Sequence, residues 1–140
     1  IRELTENGIP AGVMIAPIIP GLNNHEIPKI IEKSGEYGTQ YARYTILRLP
    51  FAVEELFKDW LKTHYPSKFK KVMNLIAEFR AGNIQEKRFK HRMSGNGNYE
   101  KQILDLFNLC LAKYKITTQG PTLSTKYFKN PNNMQISMFN

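Results

Sequence analysis

The stretch GVMIAPIIPGLNNHEIPKII, residues 12–31, decides how this chain folds. Val13, Met14, Ile15 and Ala16 are apolar without alternation. Such a run predicts a parallel strand over residues 11–16, covered on both faces. Proline has no N–H to give to a ladder, so Pro17 predicts the end of the strand near Ala16. Pro17, Pro20 and Gly21 then make a stiff loop over residues 17–24, and a helix follows. Asn23 or Asn24 is placed to cap that helix, and Pro28 suits its first turn. Ile27, Ile30, Ile31 and Ser34 mark one helical face.

On the N-terminal side, residues 1–7 read as the end of a helix. Gly8 closes it at the position where a left-handed residue is needed. On the other side, Gly35 and Gly38 loosen the helix exit, and residues 44–49 predict a second strand closed by Pro50. The order helix, strand, helix, strand is that of a parallel α/β sheet or barrel with right-handed crossovers. After Pro50 the pattern becomes helical. Val53, Leu56, Phe57, Trp60 and Leu61 predict one stripe. Pro66 opens a second helix with Phe69, Val72, Met73 and Ile76 inward, ending near Gly82. A third runs from about Tyr99 through Ile103, Leu106, Phe107, Cys110, Leu111 and Tyr114. Each stripe reads as core rather than cofactor contact. The expected organisation is strand–helix units over 1–50, a helical extension over 51–116 with a basic loop at 80–98, and an extended tail over 117–140.

The chain has 140 residues, 41% of them hydrophobic, enough for one domain with a core. No apolar run approaches bilayer length, and no signal peptide is visible. The start, Ile-Arg-Glu-Leu, reads as an internal one. The single cysteine, Cys110, excludes an internal disulfide framework and cannot by itself hold zinc or an iron–sulfur cluster. Charge is uneven: residues 1–60 hold 6 Lys/Arg against 8 Asp/Glu, and residues 61–140 hold 14 against 4. This favours an anionic partner for the second half, nucleic acid first among them, although a soluble basic surface has the same composition.

In parallel α/β folds ligands bind at the carboxyl ends of the strands. The loop over 17–24 lies there. With few side-chain donors it suits shaping a pocket wall or offering backbone groups, not acid–base chemistry; a rigid turn without ligand reads the same. Arg48, near the end of the second expected strand, could bind a carboxylate or phosphate bidentately or form a structural ion pair. In EKRFKHRMSGNGN, residues 86–98, Lys87, Arg88, Lys90, His91 and Arg92 surround Phe89. That interleaving suits phosphate contact with base stacking, and the glycines suit anion approach. Phe89 and Met93 pinning the loop to the domain is the other reading. His25, His64 and His91 have no ligand spacing.

Several of these segments carry a family resemblance. IRELTENGIPAGVMIAPIIPGLNNHEIP (residues 1–28), YTILRLP (44–50), ELFKDWL (55–61), RFKHRMSGNGNY (88–99) and LFNLC (106–110) resemble, in order, the C-terminal half of radical S-adenosylmethionine proteins of the spore photoproduct lyase-like group. That group is often labelled DNA repair photolyase. PIIPGLN is the most specific element. The resemblance implies a partial β/α barrel, residues 1–50 being its late strand–helix units. It also implies a [4Fe–4S] cluster and S-adenosylmethionine at the rim, the cofactor supplying a 5′-deoxyadenosyl radical that takes hydrogen from substrate. Ile15, Ala16, Pro17 and Ile18 would then lie beside the nucleoside, and Arg48 near cofactor or substrate. The implied protein is a cytoplasmic bacterial lyase-like enzyme.

The family holds its cluster with three closely spaced cysteines near the start of the barrel, and this chain has none of them. The expectation is that a preceding segment carries them and that this chain alone is inactive. The further cysteine that photoproduct lyases use as hydrogen donor has no match here. QISMF, residues 135–139, resembles the short peptide by which bacterial replication and repair proteins dock on the sliding clamp. Gln135 would anchor it by hydrogen bonds while Ile136, Met138 and Phe139 fill an apolar groove, or those side chains pack on their own domain. The alternative to an enzyme is a basic adaptor that binds nucleic acid or the clamp through loop and tail. No membrane partner is expected. The outer edge of the first strand invites pairing, so the chain alone is expected to dimerise or to be stable only together with the preceding segment.

Overall fold

The computed structural model describes residues 1–50, 52–81 and 98–128. Helix α1 (Arg2–Glu6) ends as the sequence predicts. Gly8 is left-handed at φ +72°, and the amides of Gly8 and Ile9 return to the carbonyls of Thr5 and Leu4. This is a Schellman closure, which uses glycine because other residues resist that conformation. Helix α2 (Ile27–Glu36) ends in the same way, Thr39 N–H reaching Ser34 O at 3.0 Å.

Strand β1 (Gly12–Ile18) pairs in parallel with strand β2 (Tyr41–Ile46). β1 runs past the expected end at Ala16. Ile15 pairs with Tyr44 but Ile18 with Ile46, so β1 carries one extra residue there. The Ala16–Pro17 peptide is cis. A bulge leaves its extra residue unpaired, so Pro17 sits in the strand without breaking a ladder bond. The ladder resumes with Leu47 N–H on Ile18 O at 2.8 Å.

β2 begins three residues before the expected 44–49 and ends before Leu47. The second correction concerns the tail. Thr117 forms a parallel bridge to Tyr41 on the side of β2 away from β1, with Ala42 N–H on Thr117 O at 2.8 Å. The start of the region expected to be an extended arm therefore supplies a strand-like edge on that side, while the start of β2 at Tyr41 follows from its pairing with Gly12 of β1. From Leu123 through Phe128 the arm is exposed.

Parallel register puts Val13, Ile15, Ala42 and Tyr44 on one face, and Gly12, Met14, Tyr41 and Arg43 on the other. Helix α2 and helix α5 (Asn98–Tyr114) cover the first face. Ile27, Ile31, Ile103, Phe107, Cys110 and Leu111 join Ile15, Ile18 and Ala42 in one buried cluster. The Phe107 ring meets Tyr44 edge-on at 4.8 Å, and Tyr114 Oη donates to Glu32 Oε1 at 2.9 Å. The expectation that β1 is covered on both faces is corrected. Among the described residues the second face is open, with Met14 57% exposed and Ala16 and Arg43 exposed.

Helix α3 (Ala52–His64), a 3₁₀ turn (Pro66–Lys68) and helix α4 (Phe69–Ala81) hold a second cluster. Leu61, Val72 and Ile76 meet Leu22 and Leu49 there, so the segments leaving both strands rest on the α3–α4 pair. The α4 and α5 stripes are core as predicted, but the α3 stripe is not. Leu61 is fully buried and Phe57 partly, whereas Val53, Leu56 and Trp60 are exposed. The fold is mixed α/β, and no helix among the described residues is long and apolar enough to cross a membrane. Among the described residues the outer edge of β1 has no strand partner. The chain is expected to sediment as a dimer. A cooperatively melting monomer contradicts that expectation.

Candidate ligand-binding rim at the carboxyl ends of the strands

The proline loop is built from its own side chains. Asn23 Oδ1 accepts from Ile19 N–H at 2.7 Å, and Asn23 Nδ2 donates to Pro17 O at 3.1 Å. Asn24 Oδ1 accepts from Gly21 N–H at 3.0 Å and from Tyr99 Oη at 3.1 Å. Gly21 N–H also reaches Tyr99 Oη at 3.0 Å. Gly21 is left-handed at φ +77°, which explains glycine at this turn. Neither asparagine caps the following helix by its side chain, as the sequence suggested; both turn back into the loop. A 3₁₀ turn (Asn24–Glu26) intervenes before α2. Backbone donors that a ligand could have used at Ile19 and Gly21 are spent internally, so the loop acts as a preset wall.

Tyr99, at the start of α5, is the residue that sequence reasoning missed. It packs against the core cluster as the first member of its stripe, and no local signal ties its hydroxyl to Asn24, 75 residues away. Tyr99→Phe removes the hydroxyl that serves both Gly21 and Asn24. It is expected to cost about 1–2 kcal/mol in denaturant unfolding; an unchanged midpoint contradicts the clamp.

The four residues expected beside a nucleoside divide by face. Ile15 and Ile18 are buried at 8% and 1% exposure in the sheet–helix core, so their side chains are spent there and only their backbone borders the rim. Ala16 and Pro17 are exposed. Arg48 is exposed but stands two residues beyond the end of β2, a correction that follows from the earlier end of that strand at Ile46. Arg43 is a second cation that sequence reading passed over. It lies on the open face opposite Met14, and its Nε donates to Thr118 O at 3.1 Å. A shallow open depression of about 440 Å³ runs beside it, lined by Tyr44, Phe107, Asn108 and Gln119 among others.

Burial, with a smaller contribution from the Glu100 carboxylate, raises the Tyr44 phenol above its ordinary value of 10.0. A proton held more tightly in the folded state stabilises the fold below the unfolded pKa and stops doing so as pH rises through the folded one. Melting temperature should therefore fall above about pH 10, and less steeply in Tyr44→Phe. Equal slopes in the two proteins contradict the assignment.

Among the described residues no group of three His, Cys, Asp or Glu could hold a metal ion. Cys110 is buried in the core, and its thiol is pushed up by that burial against the opposing pull of Lys113. The described residues do not fit an iron–sulfur cluster; at the rim they offer the exposed Ala16, Pro17 and Arg48, with Arg43 further back on the open face. Lys87, Arg88, Phe89, Lys90 and Arg92, and Gln135, Ile136, Met138 and Phe139, lie outside the described residues. Comparison with protein-family models, curated proteins and solved structures finds no match to this chain.

Proposed function

We propose that this chain is the later part of a partial β/α barrel in a radical S-adenosylmethionine enzyme of the spore photoproduct lyase-like group, acting on a nucleic acid or nucleotide-like substrate. The observation that carries the reading is the one-sided sheet. Two parallel strands are covered by α2 and α5 on one face, while the other exposes Met14, Ala16 and Arg43. An open apolar face bearing a cation is what the inside of a barrel with further strands would require.

Under this reading Met14 and Ala16 exclude water from the nucleoside, and Arg43 and Arg48 take up carboxylate or phosphate charge. The loop over 17–24, fixed by Asn23, Asn24 and Tyr99, holds the rim in place before a ligand arrives. Preset surroundings avoid reorganisation during the reaction. The cluster ligands are assigned to a segment outside this chain. The test is calorimetric binding of S-adenosylmethionine to the full-length gene product. Arg48→Ala should weaken it about tenfold, as expected for loss of one charge-assisted contact. Unaltered binding removes Arg48 from the site.

A non-enzymatic adaptor is the second reading, favoured by the charge of residues 61–140, 14 Lys/Arg against 4 Asp/Glu. It requires binding to nucleic acid or to the sliding clamp without iron, the latter lost in Phe139→Ala.

A further inference from the structure

The apolar stripe of α3 that the described residues leave uncovered changes character along its length. Val53 and Leu56 are 46% and 70% exposed; Trp60 and, just past the helix, Tyr65 are 40% and 39% exposed. Trp60 lies 5.5 Å from Tyr65 and 5.7 Å from both Phe57 and His64, ring centre to ring centre. The planes are tilted by 32° to 56° rather than stacked. The rings form one tilted aromatic cluster in which Trp60 and Tyr65 keep 40% and 39% of their surface exposed.

On the C-terminal side of Trp60 the charge is of one sign. Between Trp60 and Ala77 the sequence has four lysines, Lys62, Lys68, Lys70 and Lys71, and no carboxylate. Lys68 Nζ lies 5.9 Å from the Tyr65 ring centre, and Lys62 Nζ 5.3 Å from that of Phe69. None of the four forms an ion pair among the described residues, whereas Lys58 engages Glu54 and Glu55 one turn earlier. Asp59 is the remaining carboxylate on the helix.

We propose that the Trp60–His64–Tyr65 surface, flanked by Lys62 and Lys68, binds single-stranded nucleic acid. An unpaired base stacks on Trp60 or Tyr65 while the lysines meet the phosphates on either side. A purely apolar partner leaves the lysines unexplained. A duplex would engage the lysines but hide its base faces from the rings. The proposal is independent of the radical-enzyme reading, because its test involves neither iron nor S-adenosylmethionine.

Trp60 is the single tryptophan of the chain, so its emission reports on the site directly. Titrating the 140-residue chain with oligothymidylate should quench that emission saturably, with affinity falling steeply between about 50 and 200 mM salt. By fluorescence anisotropy of a labelled oligonucleotide, Trp60→Leu and Tyr65→Ser should each weaken binding about tenfold or more. Trp60→Phe, which keeps a stacking face, should largely restore it. Replacing both Lys62 and Lys68 by alanine should lower the steepness of log K against log salt by about 0.7 per lost phosphate contact. Binding without quenching and indifferent to Trp60→Leu overturns the proposal, as does equal affinity for duplex. Absence of binding overturns it too. So does a dimer that Leu56→Glu dissolves in a chain that ignores the oligonucleotide, since a second copy would then be what covers this face.

Discussion

Phe107→Ala is expected to destabilise the chain by about 3–5 kcal/mol, the range for removing a large aromatic side chain from a core. Phe107 is 2% exposed and is the ring through which α5 meets β2, edge-on to Tyr44. Its loss leaves a void between the sheet and the helix that covers it, and neither neighbour can collapse without disturbing the α2–α5 contact. A domain of this size is stable by only about 5–15 kcal/mol, so the substitution threatens folding itself. Leu109→Ala is the control. Leu109 is on the same helix but 69% exposed, and its replacement should change stability by no more than about 0.5 kcal/mol. Denaturant unfolding separates the two; similar costs for both would contradict the arrangement of the core.

Ala16→Trp in the full-length gene product is expected to lower formation of 5′-deoxyadenosine by about a hundredfold, the scale that misplacing a reactant by roughly 1 Å produces. Ala16 is exposed on the open face beside the bulge. A large ring there should fill the space proposed for the nucleoside without entering the core, and the melting temperature should stay within a few degrees. A drop in turnover with unchanged stability supports the site. Unchanged turnover puts the nucleoside elsewhere.

Much of the fold was legible because short-range chemistry dictates it. Gly8 had to close a helix, the run from Val13 to Ala16 had to be a strand, and the stripes through Val72 and Phe107 had to face inward. What escaped reading depends on contacts distant in sequence. Pro17 ends a strand by its own chemistry, but a bulge absorbs it. Residues 44–49 read as the second strand, but the ladder to β1 begins at the Gly12–Tyr41 pair, 29 residues apart in sequence, and Thr117 bridges to Tyr41 from the other side. Asn23 and Asn24 were placed to cap a helix; loop amides and Tyr99 competed for them and won. The α3 stripe had the period of a core helix, and periodicity cannot say whether anything arrives to cover it. Of the rim, the position of the proline loop was legible. Arg43 was not, because its importance depends on which face of the sheet stays open.

The central claim is that the open face and the proline loop serve a radical S-adenosylmethionine enzyme. It is tested most directly on the full-length gene product, reconstituted with iron and sulfide without oxygen and supplied with reductant and S-adenosylmethionine. The account predicts about four irons per chain, as a [4Fe–4S] cluster requires, and reductive formation of 5′-deoxyadenosine. A product that binds no iron and leaves S-adenosylmethionine intact would contradict it.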